Sequence, residues 1–257
     1  AVVAETLGYG AAPVAFAGSL VMAPLALRLS GSAAQQDTWL PRIAAGEARF
    51  GVAFAGWAGQ TGKADVTLDG DRLTGAVQGA LDAGGATHLL VVLSDGRMAL
   101  AEAHGSGVTK AVRKSLDTTR PVSDLTFDKA KVVLLDAAND PRATALRVLD
   151  AGRVMLAADT LGAGQCMIDR AVSYAKERVQ FGRVIGSFQG VKHTLADLVT
   201  DFEPCRSLIW YAAHAQDAVP DDARLTALQA KAHLGDVGRD VARLTTEVHG
   251  GMGFTDL

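Results

Sequence analysis

The chain has 257 residues, of which 49% are apolar, 21% are charged and only 5% are aromatic. That length supports a buried core and more than one domain, and an interior rich in Ala and poor in aromatics favours closely packed helices. The net charge of −3 and the scattered basic residues give no electrostatic reason to bind nucleic acid or a membrane surface. We therefore expect neither as a partner.

The first region, residues 1–48, predicts helices. Its uncharged stretch APVAFAGSLVMAPLAL is similar in composition to a membrane or signal segment. However, Pro13 and Pro24 interrupt it, and the acidic Glu5 stands where a signal segment would have a basic flank. We therefore expect buried helices here. The stretch SAAQQDTWLPRIAAGEARF predicts a helix that breaks at Pro41. Because the chain opens on Ala, we expect both its N-terminal and its C-terminal helical regions to be pieces of longer ones.

In the second region, residues 49–138, apolar and polar residues alternate in a way typical of strands. Two Asp-Gly pairs, Asp69-Gly70 and Asp95-Gly96, stand between alternating segments, and such pairs predict hairpins because both turn positions need positive φ. The segment SDLTFDKAKVVLL adds another strand. We predict a small antiparallel β domain.

The third region, residues 139–257, returns to long helical patterns with apolar residues spaced three and four apart. The third helix is predicted to start at Pro220 and to stop at Gly250-Gly251. Apolar residues at this spacing form a stripe along one face of each helix, and we expect that face to pack against a neighbouring helix, as in a bundle. The three stripes are Ile168, Ala171, Val172, Ala175 and Val179; Phe188, Val191, Leu195, Leu198, Phe202, Cys205, Ile209 and Ala212; and Val237, Val241, Leu244 and Val248.

The cysteines and histidines predict no metal site. The two cysteines, Cys166 and Cys205, stand alone on helical patterns and are expected to be buried thiols in a reducing compartment, which we take to be the cytoplasm. His193, His214 and His233 are not spaced to share a metal ion.

The joint between the first two long helices carries polar and charged residues that can bind a ligand. Arg178 and Gln180 follow one helix, and Gln189 opens the next. Arginine donates in a fork suited to phosphate, and a helix N-terminus adds unpaired N–H groups and positive potential. The joint therefore suits a pyrophosphate or a nucleotide edge; the alternative is a hairpin in which Arg178 caps the last carbonyls of its helix.

A second candidate segment is EVHGGMGFTDL, which follows the third helix. Its glycines let a ligand approach the backbone, and Glu247 and His249 can hydrogen-bond it. The alternative is a glycine-rich C-cap.

The motifs YAKERVQFGRVIGSFQGVKHTLADL and HGGMGF, in this order after a small β region, resemble the acyl-CoA dehydrogenase family, and the resemblance extends from WLPRIAAGE to HGGMGFTDL. It implies an α+β fold with an N-terminal helical region (1–48), a small antiparallel β-barrel (49–138) and a C-terminal four-helix bundle (139–257). It also implies FAD-dependent α,β-dehydrogenation of an acyl-CoA thioester, as in lipid metabolism and β-oxidation. The implied partners are an acceptor of the electron-transferring flavoprotein type and further subunits of a homo- or hetero-oligomer.

The resemblance also implies which residues bind the cofactor. In the family, the Arg of the RxQFG motif and the Gln of FQ contact the FAD of a neighbouring subunit, and these match Arg178 and Gln189. The glycine-rich segment after the third helix approaches the adenine side. The complete expected set is Arg178, Gln180, Phe181, Gln189, Glu247, His249, Gly250 and Gly251.

Other positions depart from the family pattern. Phe54, Gly56 and Gln60 replace the Thr, Pro and Ser of the loop that holds the flavin ring, and Val77 and Gly79 replace a Lys and an aromatic residue stacked on it. These losses remove contacts that hold and tune a flavin.

The catalytic base is not identified in the sequence. One family position for the carboxylate that removes the α-proton falls at Gly152, with Asp150 and Asp159 as imperfect neighbours, and the other lies past Leu257. No catalytic residue is therefore assigned. Three hypotheses remain: an FAD-dependent acyl-CoA dehydrogenase whose base lies past Leu257, a non-catalytic subunit that completes the FAD site of an active paralogue, and a surface that is retained only for dimer packing without any flavin.

Overall fold

The computed structural model of the chain describes residues 1–54, 56–59 and 65–255. The chain forms two compact units, one of residues 13–152 and the other of residues 1–12 together with 153–257. We call them the barrel unit and the bundle unit. The predicted departure at Gln60 and the position past Leu257 lie outside the described residues.

Helices begin both units. Helix α1 (Val2–Tyr9) belongs to the bundle unit; a π-helical segment (Ala17–Met22), α2 (Ala23–Ser30) and α3 (Ala33–Ala44) belong to the barrel unit. The expected burial is confirmed for Ala17, Met22, Ala23, Ala26 and Leu27 but is wrong for Val14 and Leu20, whose side chains are exposed.

The predicted helix break at Pro41 is wrong. Helix α3 starts with a capping box between Ser32 and Gln35 and continues through Pro41 to Ala44. A proline removes one i→i−4 hydrogen bond, and here the helix ends within a turn of that loss. The chain leaves the helix only at Gly46, where φ is 74°.

The barrel unit contains a seven-stranded sheet. Its strands are β1 (Phe50–Ala53), β2 (Asp65–Asp69), β3 (Arg72–Leu81), β4 (His88–Val92), β5 (Met98–Glu102), β6 (Val108–Val112) and β7 (Val122–Leu135). They pair in the order β2-β3-β1-β4-β5-β7-β6, and a further pairing of β3 with β7 closes the sheet. The predicted small β-barrel is confirmed, with one parallel pair, β1 with β4, among antiparallel ones.

Both Asp-Gly hairpins form, but their turns differ from the prediction. Asp69 pairs with Arg72, so the turn residues are Gly70 and Asp71, and only Gly70 has positive φ, at 58°. Around the second pair, the N–H of Leu93 donates to the carbonyl of Arg97 at 2.8 Å. That bond leaves a three-residue loop in which Gly96 takes the left-handed position, at φ 92°.

Strand β4 is buried on both faces because the closed sheet also carries helices on its outside. Leu89 and Val91 belong to the core inside the barrel, with Leu125 and Phe127 of β7. Leu90 and Val92 belong to a second core shared with α2, α3 and the start of α4. The long apolar run of this strand follows from that double burial.

The bundle unit is built from α1 and three long helices: α4 (Pro141–Glu177, from Arg153 onward in this unit), α5 (Gln189–Ala218) and α6 (Pro220–His249). Small residues let α1 approach α4 closely. A Cβ on Gly162 would lie 1.8 Å from the carbonyl oxygen of Glu5, and Arg206 of α5 pairs with the Glu5 carboxylate.

The predicted stripes are confirmed in their middle parts. Leu198, Phe202, Cys205, Ile209 and Ala212 are buried along α5. The first stripe fails at its end: α4 stops at Glu177, and Val179 is 54% exposed in a short strand. On α6, Val241 is buried, and so are Leu234, Gly238 and Thr245, which the apolar spacing missed because two of them are not apolar side chains. The predicted start at Pro220 and stop before Gly250 are confirmed.

Across the described ranges, no helix combines the length and the apolar character needed to cross a membrane.

Candidate functional site

The joint between α4 and α5 is a miniature β-hairpin. Strands β8 (Val179–Gln180) and β9 (Arg183–Val184) pair across the turn Phe181–Gly182, in which φ is 53° at Phe181 and 77° at Gly182. Positive φ at both central residues defines a type I′ turn, which normally requires Asn or Gly. A short 3₁₀ turn (Ile185–Ser187) then leads into α5.

Aromatic and cationic side chains surround this turn. The guanidinium of Arg183 lies 4.0 Å from the centre of the Phe188 ring, and Phe181 meets Phe188 edge-on with ring centres 6.2 Å apart. Phe181 is nevertheless 92% exposed. The turn therefore holds a large apolar ring out towards solvent in a backbone conformation that such residues rarely adopt.

The polar candidates of the joint are all exposed. The amide of Gln180 donates only to the neighbouring carbonyl of Val179, at 2.9 Å. Among the residues that the structure describes, the guanidinium of Arg178 donates to no carbonyl and pairs with no carboxylate, and the amide of Gln189 is also without a partner. Arg178 is therefore not a helix cap, and its fork remains available to a ligand.

The second candidate segment follows α6. His249 is the last residue of the helix, Gly250 turns the chain at φ 60°, and a 3₁₀ turn runs from Gly250 to Phe254. At Gly250 and Gly251 a Cβ would meet nothing within 4 Å. Glu247 is exposed and accepts a bond of 2.9 Å from Arg243, so of the candidate side chains it alone has a charged partner among the described residues.

Tyr174 brings the two segments together. Its ring stacks on His249 with centroids 4.6 Å apart and planes 28° apart, and its carbonyl accepts the N–H of Arg178 at 2.8 Å. The end of α4 and the end of α6 therefore meet at this stack. We call the exposed joint and the glycine-rich segment that follow these two ends the bundle face. Tyr174 was not predicted as a site residue, although it is the first residue of the motif that carries the family resemblance.

Of the described barrel positions that depart from the family pattern, Gly56 is exposed, whereas Phe54, Val77 and Gly79 are constrained by the fold. Phe54 and Val77 are buried in the two cores of this unit. Gly79 lies at an irregularity between β3 and β7 with φ 74°, and its N–H donates to Asp124 at 3.1 Å. An aromatic side chain at residue 79 would be strained by that backbone.

An ion pair occupies the surface beside Gly79. Asp124 receives bonds of 2.8 Å from Arg113. The hydrogen bond from Arg113 lowers the pKa of Asp124, so this carboxylate is charged near neutral pH and is a weaker proton acceptor than a free aspartate.

Residue 152 cannot readily hold the missing carboxylate. A Cβ on Gly152 would lie 2.7 Å from the sulfur of Met22, which is itself buried. Of the two neighbours, Asp150 is buried and Asp159 is half-buried. Neither of these two aspartates is assigned as the catalytic base.

Comparison with known proteins identifies the family. The model of the acyl-CoA dehydrogenase C-terminal domain matches residues 142–257. A solved variant of the Tcur3481-Tcur3483 steroid ACAD is 31% identical with a TM-score of 0.84, and the match covers 98% of this chain and 70% of that chain.

Curated relatives agree with this match over shorter parts of their length. Subunit CarC of the caffeyl-CoA reductase-Etf complex of Acetobacterium woodii is 32% identical over 135 residues, which are 51% of this chain and 35% of that protein. Acryloyl-CoA reductase (NADH) of Anaerotignum propionicum is 26% identical over 255 residues, 91% of this chain and 64% of that protein. The chain thus spans less than two thirds of each of these two relatives. It belongs to the acyl-CoA dehydrogenase family, as the sequence motifs indicated.

Proposed function

We propose that this chain is part of a flavoprotein that removes two hydrogens from the α and β carbons of an acyl-CoA thioester, with FAD as cofactor. The observation that carries the proposal is the exposed face of the bundle unit. It contains the exposed guanidinium of Arg178, the exposed amides of Gln180 and Gln189 and an open glycine turn, and the Tyr174–His249 stack joins the two helix ends that precede them. This donor set fits a dinucleotide that carries a pyrophosphate.

Each element of the face has a role in holding the cofactor. Arg178 and the N-terminal turn of α5 at Gln189 bind the negatively charged part. Gly250 and Gly251 admit the nucleotide close to the backbone, because no side chain stands in the way. FAD, when bound, supplies the acceptor for the two electrons of the reaction. Because the whole set is exposed on one unit, we propose that it faces the FAD of a neighbouring subunit in an oligomer.

The barrel unit favours a second candidate function. Phe54 and Val77 are buried, and the backbone at Gly79 disfavours an aromatic residue, so these three described positions do not supply the usual ring contacts. A subunit of this kind would offer the bundle face to the FAD of an active paralogue while its own barrel holds no flavin. In that case the catalytic carboxylate belongs to the paralogue.

The proposed electron acceptor is of the electron-transferring flavoprotein type. The name of the relative CarC, a subunit of a caffeyl-CoA reductase-Etf complex, supports this choice. We also propose a cytoplasmic location, supported by the two cysteines, which form no disulfide.

The test is the visible absorbance of bound flavin in the full-length protein, purified alone and after co-expression with the dehydrogenase genes adjacent to its own. Acyl-CoA thioesters of several chain lengths are then added anaerobically. We expect yellow protein whose flavin bleaches with at least one thioester, because the substrate reduces the flavin.

The two candidate functions differ in which sample is yellow. Flavin in the protein purified alone supports the dehydrogenase; flavin in the co-expressed complex only supports the partner subunit. Colourless protein in both preparations contradicts both candidates.

A further inference from the structure

The barrel unit contains an open cleft of about 480 Å³, which we call the barrel cleft. It is lined by the π-helical segment with the residues before it, by the end of α3, and by the segments that precede β1 and follow β3 and β6. π-helical turns are rare and frequently occur at functional sites, and a mostly apolar cleft with few polar groups is typical of a ligand site. The apolar lining includes Val14, Phe16, Leu20, Ile43, Ala48 and Pro121.

A buried carboxyl group lines the barrel cleft. Asp82 is 7% exposed, and its Oδ2 accepts the N–H of Gly18 at 2.9 Å. Burial raises the pKa of Asp82, the bond from Gly18 and the charge of Arg120 oppose that rise, and no described side chain forms a hydrogen bond to the carboxyl. Since a buried charge is stable when it is paired, Oδ1 is available to a donor that a ligand brings.

Close packing holds this carboxyl at the wall of the barrel cleft. A Cβ on Gly18 would lie 2.1 Å from the carbonyl oxygen of Phe50 and 3.3 Å from Oδ2 of Asp82, so glycine lets the π-helical segment approach both groups. Asp82 has φ 57°, a conformation that costs free energy for a residue with a side chain. The fold thus fixes a charged group in a strained position beside an apolar cleft, and such strain concentrates at functional sites.

The second charge in the lining is the guanidinium of Arg49, which is exposed. It donates to the carbonyls of Gly85 at 3.3 Å and of Gly46 at 3.5 Å, and no carboxylate of the described residues pairs with it. The charge that acts on Asp82 is that of Arg120 and not that of Arg49. The lining therefore carries an anion and a cation that do not neutralise each other, an arrangement that suits a ligand with charges of both signs.

We propose that the barrel cleft binds a small zwitterionic amino acid with an apolar body. The ammonium group of the ligand donates to Asp82 inside the cleft, and its carboxylate accepts from the fork of Arg49. Its hydrocarbon part packs on the apolar lining, where Val14 and Leu20 are otherwise exposed. The inference does not rest on the proposed function, because no flavin takes part in this binding.

The experiment is isothermal titration calorimetry on the full-length protein in its complete assembly, with two zwitterions as probes. L-phenylalanine has its two charges on one carbon, whereas aminocaproate has them at opposite ends of a hydrocarbon chain. Each probe is compared with an analogue that lacks its carboxylate (phenethylamine or hexylamine) and with one that lacks its ammonium group (phenylpropanoate or hexanoate). Binding is measured directly, so the result does not depend on catalytic activity.

We expect at least one zwitterion to bind with a dissociation constant of about 1 mM or below. We expect each of its two analogues to bind about tenfold or more weakly, as for the loss of one charged hydrogen bond. This comparison uses the wild-type protein alone, so it needs no variant to fold.

Two variants assign the two charges. Asp82→Asn keeps an acceptor for Gly18 but no charge; it is expected to weaken the zwitterion about tenfold or more and to leave the analogue without the ammonium group unaffected. Arg49→Met is expected to weaken the zwitterion similarly and to leave the analogue without the carboxylate unaffected. The controls Asp71→Asn and Arg72→Met change an exposed ion pair outside the cleft lining and are expected to bind like the wild type.

Three results would overturn the inference. The first is no saturable binding of either zwitterion at about 1 mM, a concentration that corresponds to weak affinity. The second is an analogue that binds as tightly as its zwitterion, which would mean that the cleft recognises only hydrocarbon or a single charge. The third is unchanged zwitterion affinity in Asp82→Asn and in Arg49→Met, which would place the bound ligand elsewhere on the protein.

Discussion

Phe181 combines an unfavourable backbone with an exposed side chain. Its φ of 53° and its exposed fraction of 92% mean that the folded chain gains little from this ring and strains the backbone to present it. A left-handed conformation costs a residue with a side chain about 1–2 kcal/mol, and such strain concentrates at functional sites. The sequence indicated a hinge here but not the type I′ turn, because Phe-Gly is not the usual pair for that turn.

Replacing Phe181 with asparagine is expected to stabilise the protein against urea by up to about 1 kcal/mol, because asparagine tolerates positive φ. The same variant is expected to bind FAD more weakly, because the dinucleotide loses an apolar contact. Urea unfolding and a flavin titration measure the two effects. A variant that is less stable than the wild type would show that the turn is not strained by Phe181.

Asp82 is a buried carboxyl in a second left-handed position, at φ 57°. Burial raises the pKa of Asp82, and the 2.9 Å bond from the N–H of Gly18 and the charge of Arg120 only partly oppose that rise. The folded state therefore holds its proton to higher pH than the unfolded state does. As pH rises from about 4, the usual range of a free aspartate, the unfolded chain ionises first and stability is lost until the folded carboxyl has also ionised.

Asp82→Asn should remove this loss, because asparagine keeps an acceptor for Gly18, tolerates the backbone and carries no charge. Its stability relative to the wild type is expected to increase as the pH rises above about 4, the usual range of a free aspartate. Thermal unfolding at several pH values checks the trend. A constant difference across these pH values would mean that the carboxyl has the same pKa in both states.

At the scale of elements, the spacing of apolar residues and the positions of proline and glycine predicted the helix faces and helix ends that depend on local interactions. The seam of α5 and the start and stop of α6 follow from apolar spacing, Pro220 and the two glycines. The same sequence patterns gave wrong predictions for features that tertiary packing determines. Pro41 lies near the end of its helix, so its lost bond does not end α3, and Thr245 and Gly238 are buried although apolar spacing does not mark them.

Close packing of α1 on α4 depends on Gly162. A Cβ there would lie 1.8 Å from the backbone oxygen of Glu5, and a backbone atom cannot move aside as a flexible side chain can. Gly162→Ala is expected to destabilise the protein by about 1–3 kcal/mol, as overpacked sites do.

The matched control is Gly235→Ala on exposed α6 surface, where a Cβ would meet nothing within 4 Å. It is expected to stabilise by up to about 1 kcal/mol, because alanine is the better helix former. Chemical unfolding of both variants gives the comparison. Equal effects of the two substitutions would contradict the close approach of α1.

At the scale of the molecule, the sequence predicted the fold class and the family, but not how the candidate residues combine. Arg178 of the joint and Glu247 of the glycine-rich segment are 69 residues apart in the sequence, and the Tyr174–His249 stack brings together the helix ends that carry them. No local pattern indicates such a contact, because it depends on how α4 and α6 pack along their whole length.

The central claim is that this face binds FAD, and the most direct measurement is the FAD affinity of Arg178→Ala in the complete assembly. A charged hydrogen bond contributes about 1.5–3 kcal/mol, so we predict a loss of about tenfold to a hundredfold with unchanged thermal unfolding. The control Arg239→Ala, another exposed arginine of the bundle unit, is predicted to bind FAD like the wild type. Equal FAD affinity of Arg178→Ala and the wild type would contradict the account.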